Sequence, residues 1–365
     1  MRVLIMAGGT GGHIFPALAV AKKLLQQEHI VHWLGTKNGM EVDIAQANNI
    51  PISCVSISGL RGKGLFTKLF APIRLVTAML QSMFIMWRFK ADVVLGMGGY
   101  VTGPAGIAAW LLRKKLVIHE QNAIAGMTNQ ILAKFSSCVL EAFPSSFPRP
   151  ISAKLTGNPV REDFYRLLPP EKRSNKNSSA TLKVLVLGGS GGARALNNIM
   201  PQILSTWNSV HKIMVWHQAG SKHINDAKQA YLAAGLNVEA NSLAHNSNIK
   251  LVDFIQDMPN AYAWADIVIC RAGALTIAEL AVAGVASILI PFPYAVDDHQ
   301  TKNAQYLVKA GAAIILPEKD LTAQKLQELL QAFAMDQTRL ITMAKAAYKL
   351  AKPEALAKVV EYCLA

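Results

Sequence analysis

Short apolar runs alternate along this chain with longer amphipathic stretches. Runs at 2–7, 30–35, 52–57, 92–96, 115–119, 137–141 and 153–156 read as strands in the first half. Runs at 183–188, 212–217, 250–254, 266–270, 286–291 and 312–316 do so in the second. Several are rich in Val, Ile and Leu without alternation, the pattern of strands covered on both faces. Between them, 14–28, 193–206, 275–283 and 300–310 carry helical spacing. Strand–helix–strand ordering predicts an α/β fold with parallel sheets and right-handed crossovers.

One segment occurs twice in similar form. Arg2, Val3, Leu4, Ile5, Met6 and Ala7 run into Gly8, Gly9, Thr10, Gly11 and Gly12; Lys183, Val184, Leu185, Val186 and Leu187 run into Gly188, Gly189, Ser190, Gly191 and Gly192. Each is a strand, a Gly-rich turn and a helix start, and each opens a domain. Between them, 169–182 is polar and reads as an exposed linker. The prediction is two Rossmann-like, doubly wound domains facing a cleft, with ligands at the carboxyl ends of the strands.

Charge changes this picture. The chain has 365 residues, Lys+Arg 37 against Asp+Glu 23, and a net charge of +14, yet 16% of residues are charged and 52% apolar. That apolar content excludes a disordered basic tail, and the length gives two domains with cores of their own. Residues 1–160 carry +10 and residues 161–365 carry +4. The stretch 60–115 alone supplies +8, from Arg61, Lys63, Lys68, Arg74, Arg88, Lys90, Arg113, Lys114 and Lys115 against Asp92. A localised patch points to a partner more than a pI does. Cys54, Cys138, Cys270 and Cys363 are far apart and form no C-x-x-C pair, which fits reduced thiols. The apolar start runs into a Gly-rich turn with no cleavage pattern and reads as a buried strand. The most hydrophobic stretch, 69–89, has an uncharged part of 13 residues, 75–87, short of the roughly 20 a spanning helix needs.

The Gly-rich turns carry the candidate chemistry. Such a turn lets backbone N–H groups approach an anion, and the following helix adds its positive end. A tight turn without a ligand is the plain alternative for either one; two of them opening two domains favour a phosphate ligand. Neither is a dinucleotide fingerprint, because His13 replaces the last glycine of G-x-G-x-x-G and the second strands end on Gly35 and Thr36 or run into Gln218 where a ribose-binding acid is required. No G-K-[ST] follows, so a P-loop is excluded. Glu279, near the start of the helix after strand 266–270, can accept both hydroxyls of a ribose or can simply answer the helix dipole. Asp297, Asp298, His299, Gln300, Thr301, Lys302 and Asn303 form a polar entry to another helix, able to read sugar hydroxyls or merely to cap it.

Taken in order, these residues resemble the MurG family of bacterial N-acetylglucosaminyltransferases. The resemblance spans nearly the whole chain. It rests on residues 8–13, on Gly98, Gly99, Tyr100, Val101, Thr102, Gly103 and Pro104, on His119, Glu120, Gln121, Asn122 and Ala123, on Gly157, Asn158, Pro159, Val160 and Arg161, and on 188–197, 273–279 and 298–304. It implies a GT-B fold with an acceptor- and membrane-binding domain over 1–160, a UDP-GlcNAc-binding domain over 161–340, and a C-terminal helix over 341–365 that crosses back to the first. It implies that Thr10, Gly11, Gly12 and Asn122 border the sugar and phosphate, that Arg161 and Ser190 lie near the diphosphate, and that Ile255 meets uracil through its backbone. Ala274, Leu275, Thr276, Ile277, Ala278 and Glu279 would wrap ribose and sugar, and Gln300 would read GlcNAc. Two stretches, 237–249 and 171–182, are longer than the family pattern leads one to expect.

The implied reaction is an inverting transfer of GlcNAc from UDP-GlcNAc to the C4 hydroxyl of undecaprenyl-pyrophosphoryl-MurNAc-pentapeptide, in peptidoglycan synthesis. No Asp-x-Asp pair suited to a diphosphate-bound ion is present, so no metal and no cofactor are expected. The base is His13, near neutral in pKa and ending the first Gly turn, or else Glu120; His13 can equally position the turn or touch phosphate. Tyr100 frames the acceptor. Because the acceptor stays in the bilayer, the implied location is peripheral, on the cytoplasmic face of the inner membrane, beside other cell-wall and division proteins. Leu69, Phe70, Ile73, Val76, Leu80, Phe84 and Trp87 at helical spacing, flanked by the basic residues, suit an anionic membrane surface, though part of that helix must be core. The rivals are another UDP-sugar enzyme of the same fold, such as a UDP-GlcNAc 2-epimerase, and a nucleic-acid-binding protein. The latter lacks a binding module, and its charge adjoins apolar residues rather than stacking aromatics.

Overall fold

A computed structural model describes residues 1–57, 71–173, 181–189, 191–239, 248–295 and 298–365. It divides into two compact units, Met1–Arg161 with Lys352–Ala365, and Glu162–Ala351.

The first unit is built on a seven-stranded sheet of β1 (Arg2–Met6), β2 (Ile30–Thr36), β3 (Ile52–Val55), β4 (Val93–Gly96), β5 (Lys115–Glu120), β6 (Cys138–Glu141) and β7 (Lys154–Leu155). All pair in parallel, in the order β3-β2-β1-β4-β5-β6-β7. The chain leaves β1 towards β2 on one side and returns at β4 on the other, so the order reverses beside β1, where open α/β sheets hold their ligands. Val3, Leu4, Ile5 and Met6 are completely buried, as an unalternating apolar strand requires. Alternate residues serve two layers. Val3 and Ile5 pack with Ile14, Ala17 and Leu24 of helix Gly11–Gln26 and with Leu356 and Val360 of helix Ala355–Leu364. Leu4 and Met6 pack with Ala78 and Met86 of helix Ala71–Phe89, Ala105 and Ala108 of helix Thr102–Leu111, and Leu132 of helix Met127–Leu132.

Glu41 is fully buried at the start of helix Glu41–Ala47. Its Oε1 accepts from Thr36 N at 2.9 Å and Thr36 Oγ1 at 2.7 Å. The side chain fills space beside three glycines: a Cβ on Gly8 or Gly35 would lie 2.7 Å from it, and one on Gly39 would overlap its carboxylate.

The second unit repeats the plan. Strands β8 (Thr181–Leu187), β9 (Lys212–Gln218), β10 (Ile249–Val252), β11 (Ile267–Cys270), β12 (Ala286–Leu289) and β13 (Ala313–Ile315) form a parallel sheet in the order β10-β9-β8-β11-β12-β13. The reversal here lies beside β8. Leu182, Val184 and Val186 pack under Leu196, Met200 and Ile203 of helix Arg194–Ser205, with Leu326, Leu330 and Phe333 of helix Ala323–Met335 in the same core.

All thirteen expected strands are present, with ends shifted by a residue or two. The ends of the domains differ. Arg161 closes the first unit rather than opening the second. The single helix expected over 341–365 is two, Gln337–Lys349 and Ala355–Leu364. Pro353 separates them, since its ring fixes φ and it has no N–H for a helical bond. Only the second helix belongs to the first unit; residues up to Ala351 stay with the second. Among the described residues no helix is long and apolar enough to cross a membrane.

Candidate active site

In the first unit, two turns interlock beside β1. Gly8 N donates to Gly98 O at 3.3 Å, joining the turn after β1 to that after β4. Gly99 has φ +92, and a Cβ there would overlap Gly8 O, so no other residue fits. A Cβ on Gly98 would lie 2.6 Å from the His13 ring, which therefore rests on bare backbone. Thr10 stands exposed at the N-cap of helix Gly11–Gln26, with Gly11, Gly12 and His13 forming its first turn. The first turn of that helix contains no acidic residue. The His13 Nδ1 is buried, and the Cδ2–Nε2 edge of its ring faces Gly98. Tyr100 is 56% exposed at the end of the β4 turn.

The segment after β5 is organised by Glu120. This carboxylate is only 3% exposed and accepts four bonds. Oε1 takes Asn122 N at 2.9 Å and Asn122 Nδ2 at 3.1 Å; Oε2 takes Gly126 N at 3.1 Å and Asn129 Nδ2 at 2.7 Å. These four donors aim the carboxylate at its own loop. Glu120 is thus placed to hold Asn122.

His119, fully buried, lies between Gly157 O (3.0 Å from Nε2) and the Gln121 amide (3.1 Å from Nδ1). The carbonyl accepts, so Nε2 carries the proton and Nδ1 receives the amide. Burial lowers its pKa to about 4, against an opposing pull from Gly157 O. The unfolded chain takes up this proton near pH 6.5 and the folded one only near 4. Stability is therefore fully present above pH 6.5 and falls as pH drops to 4, by about 3 kcal/mol at about 1.4 kcal/mol per unit. Denaturant titrations between pH 7 and pH 4 are expected to show this slope, and His119→Gln to flatten it.

In the second unit, the turn after β8 is held by Gln218. Gly188 N donates to Gln218 O at 3.0 Å, and Gly189 N to Gln218 Oε1 at 3.1 Å. The loop after β10 buries Ile255 to 5% exposure. After β11, Ala272 N donates to Gln300 Oε1 at 3.2 Å, which also takes Phe292 N at 2.9 Å; Asn303 Nδ2 reaches Ala272 O at 3.2 Å. These bonds set helix His299–Val308 against the N-terminus of helix Ala274–Ala283, which carries Ala274, Leu275, Thr276, Ile277, Ala278 and Glu279. Glu279 sits in the second turn, half-buried, and accepts from Tyr262 Oη at 3.2 Å.

Thr10, Gly11, Gly12, His13 and Tyr100 follow the strands beside the reversal of the first sheet, and residues 274–279 follow β11 beside that of the second; Asn122 follows β5, Ile255 follows the edge strand β10, Gln300 follows β12, and Arg161 ends the first segment of the first unit. Ser190, Leu69, Phe70, Arg61, Lys63 and Lys68 lie outside the described residues, as do most of the long stretches at 174–180 and 240–247. Glu41, Asn129, Gln218 and Tyr262 were not singled out by sequence, because their importance comes from contacts that the folded turns and loops create and no local pattern specifies.

Helix Ala71–Phe89 stands apart from these groups. It buries a narrow stripe, Ala71, Ala78, Ser82 and Met86. Ile73, Leu75, Val76, Leu80, Phe84 and Trp87 are exposed, Trp87 to 72%, as are Trp110 and Leu111 on the adjoining helix.

Comparison with known proteins accounts for both units. Residues 3–141 match the glycosyltransferase family 28 N-terminal domain, and residues 183–359 its C-terminal domain. A Marinobacter nauticus protein named UDP-N-acetylglucosamine–N-acetylmuramyl-(pentapeptide) pyrophosphoryl-undecaprenol N-acetylglucosamine transferase is 52% identical over 363 residues, covering 100% of this chain and 97% of its own. A Nitrosococcus oceani protein of the same name is 49% identical over 364 residues, covering 100% and 98%. The crystal structure of Acinetobacter baumannii MurG superposes with a TM-score of 0.83 at 41% identity, covering 100% and 99%. The chain belongs to glycosyltransferase family 28, among its MurG members.

Proposed function

We propose that this chain transfers GlcNAc from UDP-GlcNAc to the C4 hydroxyl of lipid-linked MurNAc-pentapeptide, with inversion, in peptidoglycan synthesis. The observation that carries this is full-length similarity to transferases of that name, 52% in one case. The Gly-rich turn beside the reversal of each sheet supports it. The expected experiment is release of UDP from UDP-GlcNAc only when the lipid-linked MurNAc acceptor is supplied; release at the same rate without acceptor would point to a hydrolase or epimerase instead.

In this reading the second unit holds the donor. Glu279 takes the ribose hydroxyls, the Ile255 backbone meets uracil, Gln300 reads GlcNAc, and the turn at 188–192 with Ser190 holds the diphosphate. The leaving UDP gains negative charge as the glycosidic bond breaks. Backbone N–H groups, the N-terminus of helix Arg194–Ser205 and the guanidinium of Arg161 take that charge. His13 removes the proton from the acceptor hydroxyl as it attacks the anomeric carbon. Thr10, Gly11, Gly12 and Asn122 border the sugar and phosphate of the donor. Glu120 holds Asn122 in place, and Tyr100 frames the acceptor.

The same reading puts the protein peripherally on the cytoplasmic face of the inner membrane, near other cell-wall and division proteins. Exposed Ile73, Val76, Leu80, Phe84 and Trp87, rimmed by Arg74, Arg88 and Lys90, support it. Burying one such side chain is worth about 2 kcal/mol, and each basic residue near anionic lipid about 1 kcal/mol. The double variant Phe84→Ser, Trp87→Ser is expected to weaken sedimentation with phosphatidylglycerol-containing vesicles by at least about tenfold. Binding that ignores anionic lipid, or survives this change, would refute the docking role.

A further inference from the structure

Strand β9 ends on Gln218, at the place where dinucleotide-binding sheets carry a ribose-binding acid. The amide is 5% exposed and fully engaged. Its Oε1 accepts Gly189 N at 3.1 Å, and its Nε2 donates to Gly189 O at 3.1 Å and Asp253 O at 2.9 Å. One side chain therefore ties the turn after β8 to the loop after β10. The backbone reinforces the link, with Ala219 N donating to Val252 O at 2.9 Å.

The floor beneath Gln218 is also polar and closed. His217 lies between Tyr231 Oη (2.8 Å from Nδ1) and Asn197 Oδ1 (3.1 Å from Nε2), while Asn197 Nδ2 donates to Ala219 O at 3.1 Å. Asn197 thus presents its carbonyl to His217, so Nε2 donates and Nδ1 accepts the tyrosine hydroxyl. Burial lowers the His217 pKa to about 3, which keeps that tautomer neutral across the physiological range. A satisfied buried network of this kind fixes its members in one arrangement.

We propose that Gln218 is a positioning residue that sets the spacing between the diphosphate turn and the uracil loop, and so makes the site selective for a nucleoside diphosphate over either half alone. The inference rests on the donor reading given above. A carboxylate at 218 would still accept from Gly189 N but would face the carbonyls of Gly189 and Asp253, so only an amide serves both segments. Two half-sites held in register bind a two-ended ligand as one unit, without the ordering cost of bringing them together.

The test uses the full chain with Gln218→Met, which keeps volume, and Gln218→Glu. Calorimetry would measure UDP, uridine and inorganic pyrophosphate. Both variants are expected to weaken UDP at least about tenfold while uridine and pyrophosphate each change less than about threefold. In turnover the loss falls mainly on KM for UDP-GlcNAc. Wild-type affinity for UDP in the variants, or equal weakening of UDP and uridine, overturns the proposal. A wild-type protein that does not bind UDP overturns the donor reading, and this one with it. A measurement needing no variant is amide exchange: Gly189 N–H is expected to be protected in the unliganded wild-type protein, and exchange at the unprotected rate overturns the clamp.

Discussion

His13→Ala is expected to lower kcat by about 10²- to 10⁴-fold with both substrates saturating, the range that loss of one general base costs. The expectation comes from two side chains read together. His13 lies in the first turn of its helix, with its ring against bare Gly98 and its Nδ1 buried. Glu120, the other candidate, already accepts from Asn122, Gly126 and Asn129. Both of its oxygens are occupied in holding that loop. Because the group lost acts on the acceptor proton in the transition state, KM for UDP-GlcNAc is expected to stay within about threefold of wild type. A His13→Ala protein with near-full kcat would move the base elsewhere.

Glu279→Ala is expected to lower kcat/KM for UDP-GlcNAc by about 10²-fold or more. One carboxylate accepting two ribose hydroxyls makes two charge-assisted bonds, each worth about 1.5–3 kcal/mol, and about 1.4 kcal/mol is a factor of ten. The Tyr262 hydroxyl at 3.2 Å steadies the group in its half-buried setting. The defining readout is the sugar of the nucleotide. Wild type should discriminate strongly against the 2′-deoxyribose analogue of UDP-GlcNAc, and Glu279→Ala should treat the two donors nearly alike. Discrimination that survives the substitution would detach Glu279 from the ribose and leave it as a helix-dipole carboxylate.

The strands and their parallel order were legible because a strand buried on both faces needs an unbroken apolar run, and each run here is short and bounded by turns. The Gly-rich turns were legible as runs of glycine, and at Gly98 and Gly99 the His13 ring and the Gly8 carbonyl leave no room for a side chain. The break at Pro353 was written in the sequence and outweighs the helical spacing on either side of it. Glu120 was different. Sequence marked it as a possible base, but its four donors come from a loop whose path no local pattern specifies. Glu41 and Gln218 were less visible still. A lone Glu at a helix start or a lone Gln at a strand end is ordinary in sequence, and acquires meaning from glycines and carbonyls brought near it by the sheet.

Glu41 has a consequence for how this protein can vary. Gly8 comes from one stretch and Gly35 and Gly39 from another, and none has a backbone conformation that itself demands glycine. Their missing side chains are set by the one carboxylate lying among them. The four positions therefore form an epistatic block: alanine at any of the three glycines is harmful with glutamate at 41, and becomes tolerable only once that side chain is shortened. Shortening it alone leaves a void and strips Thr36 of its acceptor. Single changes are uphill from both directions, so a lineage or a mutant library reaches an alternative filling of this site only by paired substitution.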